Sequence, residues 1–196
     1  MSALAAEPQL DQGNGWDDLV RRWESMEWPE GCKVEIIEGI ITVAPSPSGT
    51  HNDIADEVQR ALYPVIRRDW GVYQTQPVAI PTRVGMFIPD VLVAPKKSVR
   101  EAGRGLLAAE AELVVEITSQ SNANHDRVAK MQGYATAGVP LYLLIDRWHS
   151  GRPTATLYGE PKNGLYRVLD VVEFGREIHL PAPFDLTLGT AEFPVS

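Results

Sequence analysis

A single cysteine, Cys32, stands among the 196 residues, so neither an internal disulfide nor a cysteine-built zinc site is available. It lies in PEGCKVEI, read as a turn entering a strand, which is a poor setting for a nucleophile. Long apolar runs are also missing, and none approaches the roughly 20 residues of a membrane-spanning helix. The opening MSALAAEPQLDQGNGWDD has no basic start and no apolar stretch of a signal peptide, so a cytoplasmic protein is expected. An excess of cations is the third absence: the net charge is −8 and the pI about 5.0. Nucleic-acid binding over a broad face depends on cations that displace counterions, and this balance argues against it. A site whose own metal ions bring positive charge stays open.

What remains is enough for one domain with a sizeable core, with 44% hydrophobic residues in an ordinary globular composition. Residues 1–15 are read as a flexible tail and 16–196 as one domain. WDDLVRRWESM spaces Trp16, Leu19, Val20 and Trp23 as a short helix. KVEIIEGIITVAPSP reads as a hairpin turning at Glu38-Gly39. SGTHNDIADEVQRALYPVIRRDWG is amphipathic, and Pro64 cuts its helix short. GVYQTQPVAIPT and MFIPDVLVAP are each expected to form a strand, followed by a polar excursion, KKSVREAGRGLLAAEA. ELVVEIT, a helix HDRVAKMQGYATAG closed by Gly138, and the apolar VPLYLLID make a β-α-β crossover with parallel strands. The tail segments TATLYG, LYRVLDVV and EIHLPA form an antiparallel β extension. The fold class is mixed α/β.

Glu35, Asp90, Glu116 and Asp146 sit within or at the ends of apolar strands. A carboxylate in such a setting must be paired, protonated or bound to a metal. Asp90 opens the strand of IPDVLV and Glu116 nears the end of VVEIT. If the two strands are antiparallel neighbours, the carboxylates converge at one sheet edge, as hard oxygen ligands for Mg2+ or Mn2+. Lys130, on the following helix in line with Asp126 and Tyr134, can overhang that edge and position or deprotonate a water. The alternatives are a solvated Asp126–Lys130 salt bridge, a turn or cap role for Asp90, and a loop-side cap at Asp146.

IPDVLVA, ELVVEITSQS, HDRVAKMQGYATAGVPLYLLID and VEIIEGIITVAPSPSGTH together resemble the Uma-type "putative restriction endonuclease" family of the PD-(D/E)XK superfamily, over about residues 30–190. The resemblance implies a restriction-endonuclease-like central mixed sheet flanked by helices, with a metal site at one sheet edge. It implies catalytic Asp90, Glu116 and Lys130, with Asp90, Glu116 and Glu35 toward Mg2+ or Mn2+. Thr118 stands where the superfamily's usual lysine would be, and Lys130 on the helix takes that place. His51, Ser119 and Asp126 match elements that bear on substrate, with His51 either meeting a phosphate or capping its helix. The implied activity is hydrolysis of DNA phosphodiester bonds by a homodimer. The competing readings are a catalytically silent binding or scaffold protein of the same fold, and a hydrolase of RNA or another phosphate ester. Arg67, Arg68, Lys96, Lys97, Arg100 and Arg104 are the candidates for a local basic patch, or for a merely solvated rim.

Overall fold

The computed structural model describes residues 14–27, 30–120 and 122–195, so the proposed tail, 1–15, lies almost wholly outside the described residues. Helix α1 (Asn14–Ser25) leads into the hairpin β1 (Lys33–Ile37) and β2 (Ile40–Ala44). Glu38 and Gly39 both take positive φ, 50° and 82°, as a two-residue hairpin turn of this twist demands. Helix α2 (Gly49–Leu62) follows, with the Ser48 hydroxyl accepting from the His51 N–H at its start. It stops one residue short of Tyr63-Pro64, as the proline requires.

The two long strands expected next are each broken in two. GVYQTQPVAIPT yields β3 (Trp70–Tyr73) and β4 (Val78–Ile80), and MFIPDVLVAP contributes to β5 (Gly85–Phe87) and β6 (Val91–Pro95). In each case the halves belong to different sheets. Prolines at 77 and 89 lack the N–H that a continuous ladder needs, so the chain changes sheet there. The polar excursion is not irregular either. It contains helix α3 (Lys96–Glu101) and the short strand β7 (Leu106–Leu107).

Strand β8 (Leu113–Ile117) is followed by a wide π-helical turn, His125–Lys130, which runs into α4 (Met131–Ala137). Gly138, at φ 79°, closes α4 in the left-handed conformation. Strands β9 (Leu141–Asp146), β10 (Thr154–Lys162), β11 (Leu165–Glu173), β12 (Glu177–Leu180) and β13 (Leu186–Gly189) complete the chain. One mixed sheet has the order β11-β10-β9-β8-β6-β3, a second has β2-β1-β5-β4-β7, and β12-β13 is a separate hairpin. The β8–β9 pair is parallel and β9–β10–β11 antiparallel, as the crossover and tail patterns imply.

The faces of the larger sheet sort by alternation. Val91, Val93, Leu113, Val115 and Ile117 pack with Ile54, Val58 and Leu62 of α2. Leu92, Ala94 and Val114 pack on the other side with Tyr134 of α4 and with Ile37 and Phe87 of the smaller sheet. Both faces are therefore covered, which is why these strands read as unbroken apolar runs. Among the described residues no helix is long and apolar enough to cross a membrane.

Candidate active site

Side chains at even positions of β6 and β8 share one face, so Asp90 and Glu116 point the same way as Leu92, Ala94 and Val114. Val91 pairs with Val115 in an antiparallel ladder, which brings the start of β6 beside the end of β8. The Ile117 N–H donates to Asp90 Oδ2 at 2.8 Å, closing the ladder with a side chain where the backbone of β6 has turned away. Asp90 and Glu116 line the same cavity of about 220 Å³, between the two sheets and beside the start of α2.

Lys130 is fully buried and lies among three carboxylates. Its Nζ is 2.9 Å from Glu35 Oε1, 3.2 Å from Glu116 Oε2 and 3.3 Å from Asp126 Oδ1. The solvated Asp126–Lys130 bridge is thus replaced by a buried one. The π turn places both residues inward, and the Tyr142 hydroxyl fixes that turn by donating to the Asp126 carbonyl at 2.8 Å. Tyr134, one turn beyond Lys130, donates to Glu116 Oε1 at 2.9 Å and packs edge-on against Phe87. Glu35 is held from behind, accepting from the Ile88 N–H at 2.6 Å. It is absent from the cavity wall, so in this arrangement it faces Lys130 rather than an incoming ligand.

Asp90 has its own basic partners. Lys33 Nζ lies 2.5 Å from Oδ1, and His51 Nε2 lies 3.2 Å from the same atom. His51 does not cap α2 with its side chain, because Ser48 does, and its imidazole is free to face Asp90. Ser119 and Asp126 also line the cavity, so five of the seven residues predicted for the site, Asp90, Glu116, His51, Ser119 and Asp126, share it. Glu35 and Lys130 stand behind Glu116 as its support. Asp146 is not part of the site: Arg127 grips it through two nitrogens, at 2.7 and 2.8 Å, and the Thr118 hydroxyl and Trp148 N–H donate to it. Thr118, at the position of the superfamily's usual lysine, serves the β8–β9 end instead.

The charges explain the titration of the group. Burial pushes Asp90 up, but Lys33 and then His51 outweigh it and hold the carboxyl below its ordinary range. Burial raises Glu116 well above the carboxylate range, with Lys130 only partly opposing. Asp126 is pushed up to about 6 by burial, against Lys130. Burial works against the Lys130 ammonium too, yet Glu116, Glu35 and Asp126 hold its proton more firmly than usual. Burial apart, the shifts of Glu116 and Lys130 share a cause: the four carboxylates of the cluster face only two ammoniums, Lys33 and Lys130. His51 is lowered by burial, partly offset by Asp90.

That excess of carboxylates over ammoniums, on hard oxygens beside a cavity with room for water, fits a divalent cation held by Asp90 and Glu116. Among the described residues no three ligating side chains are already arranged as a metal cluster, so water would make up most of such a coordination shell.

Three charged or aromatic members of the wall had no place in the sequence reading: Lys33, Arg147 and Trp148. For Lys33 a signal existed, since it lies two positions before Glu35 in one strand and so shares its face. For Arg147 and Trp148 there was none, because they follow Asp146 in a loop.

Fold and site together define an α/β protein with an acidic, lysine-countered cavity at the edge of a mixed sheet. A solved structure described as a "putative nuclease belonging to DUF820" from Anabaena variabilis has the same fold. Its TM-score is 0.63 at 20% identity, over 85% of this chain and 90% of that one. No curated protein matches the chain. The Uma2 family, described as "Putative restriction endonuclease", matches residues 16–191, and the chain belongs to it.

Proposed function

We propose that this protein is a divalent-metal-dependent endonuclease that hydrolyses DNA phosphodiester bonds in the cavity floored by Asp90 and Glu116. One observation carries the reading: two carboxylates from antiparallel strands line one cavity, in a cluster with more carboxylates than ammoniums. Asp90 and Glu116 would hold Mg2+ or Mn2+, and a bound ion of that kind supplies Lewis acidity toward a water and a phosphoryl oxygen. The protein's own groups do the rest. Tyr134 and Lys130 fix the two oxygens of Glu116, and Glu35 and Asp126 fix Lys130 in turn. The Ile117 N–H fixes Asp90. Lys33 and His51, on the open side of Asp90, are the nearest groups to meet a phosphate and balance the charge that builds on it. Lys130 is a positioning residue here, since its ammonium is spent on three carboxylates. A homodimer would bring two such cavities to two strands.

One observation favours the second reading, a silent nuclease-fold binding protein. Lys33 at 2.5 Å and Lys130 at 3.2 Å already satisfy the oxygens that would turn to a cation. Plasmid and single-stranded DNA, each incubated with purified protein, separate the two. Cutting is expected with Mg2+ or Mn2+, stopped by EDTA, and reduced at least ~100-fold in Glu116→Ala and Asp90→Asn, the scale on which losing a group that stabilises the transition state registers. Calorimetric titration with Mn2+ should show binding that Asp90→Asn abolishes. No cutting by wild type, or equal cutting by Glu116→Ala, would discard the nuclease.

A further inference from the structure

Arg147 is the one cation of the cavity wall that the cluster does not use. It is 8% exposed, yet its Nε has no hydrogen-bond partner. No ion pair to its guanidinium exists among the described residues. A buried guanidinium is costly unless an anion meets it. Its neighbour Asp146 cannot serve, because Arg127 and Thr118 already occupy that carboxylate. The backbone is fixed in this pose: the Arg147 N–H donates to the Thr118 hydroxyl at 3.1 Å, and the Trp148 N–H to Asp146 Oδ1 at 3.1 Å. The result is an unsatisfied donor on a residue of the same cavity wall as Asp90 and Glu116.

Trp148 stands next to it at the cavity's rim. Its side chain is exposed, at 44%, and the Arg147 guanidinium lies 5.9 Å from its ring centroid. An indole at the mouth and a guanidinium within are the two parts that hold a nucleotide: a stacking face for the base and a forked donor for the phosphate. Both line a cavity of about 220 Å³, whose interior admits a flexible strand and not the stiff cylinder of a duplex.

We infer that Arg147 and Trp148 form a nucleotide subsite that takes single-stranded DNA, Arg147 binding a phosphate and Trp148 stacking on the adjacent base. The inference rests on the nuclease reading of the same cavity and narrows its substrate to unpaired strands or ends. Charge supports the restriction. A chain of net charge −8 repels the long phosphate array of a duplex, whereas one or two nucleotides need only the local cations.

The probe is a short oligothymidylate carrying a fluorophore, titrated in EDTA at low salt and followed by anisotropy, beside a hairpin duplex of the same length. The single strand should bind at least ~10-fold more tightly than the duplex. Trp148→Ala and Arg147→Met should each weaken it about tenfold, within the range of one stacked base or one charged contact. Tryptophan quenching by the strand should be lost in Trp148→Ala. Arg147→Lys should retain part of the affinity. Trp148 is exposed, so its variant folds whatever becomes of Arg147→Met. Equal affinity for strand and duplex, or full affinity in Trp148→Ala, would overturn the subsite. Binding as expected with no cutting under any metal would uphold the subsite and remove the nuclease.

Discussion

Lys130 shows how a single side chain can organise a site without touching its ligand. Among the described residues it is the only cation within bonding distance of Glu35, Glu116 and Asp126. Removing one partner of a buried ion cluster leaves the others uncompensated, at a cost of about 3–5 kcal/mol. Lys130→Met should lose stability on that scale at pH 8, measured by urea unfolding. The deficit should shrink on acidification, and the sign follows from linkage. Asp126 already titrates near 6 in the folded state, against 3.8 for the free group. A carboxyl raised by folding favours the native state fully below its unfolded value, and that contribution fades as pH climbs through the folded one. Without the ammonium the folded value rises further, so the variant suffers most where the carboxylates are charged. A deficit that does not change between pH 8 and pH 5 would show that Lys130 stabilises by packing alone.

Among the elements, α4 and its π-helical entry decide the geometry. The helix touches Phe87 of β5 at Gly133. A Cβ there would stand 2.7 Å from Cε2 of Phe87. That ring is buried and wedged edge-on against Tyr134, so it has no room to withdraw. Gly133→Ala gains about 1 kcal/mol of helix propensity but overpacks the core by about 1–3 kcal/mol. A net loss of stability is expected, and because Tyr134 is displaced with the ring, Glu116 loses its hydroxyl partner. A higher melting temperature for the variant would show that α4 has slack against β5. The π turn was not legible in HDRVAKMQGYATAG, whose apolar spacing suits a regular helix. The extra residue is set by the Tyr142 hydroxyl, which reaches Asp126 from the far end of β9.

At the scale of the whole molecule, the sheet separates two charged ends. Asp90 opens β6 and Lys96 follows its close, so they stand about 20 Å apart at a rise of ~3.3 Å per residue. Arg67 and Arg68 belong to the far end, where the Lys96 N–H meets the Asp69 carbonyl. Arg67 is paired with Asp69, Arg104 with Glu24, and Lys96 donates to the Arg68 carbonyl. The basic patch is therefore a partly self-neutralised rim at the wrong end of the sheet for the site. Lys97→Glu combined with Arg100→Glu should leave oligonucleotide affinity within about twofold at physiological salt, where charges that far apart are screened. A loss beyond tenfold in the same titration would place the nucleic-acid path over that rim.

Much was legible in the order of residues alone: the hairpin, the β-α-β crossover, and two acids that converge on one sheet edge if their strands are antiparallel neighbours. Alternation and burial are local properties, and a strand carries them in its own sequence. The tertiary structure alone decided what each acid meets. Lys33 reaches Asp90 across 57 residues, and Lys130 turns inward on a π turn fixed from another strand. Arg147 is left without an anion because Asp146 is taken by Arg127. Such pairings depend on which sheets stack and which loops close over their ends, and no periodicity within a segment encodes them.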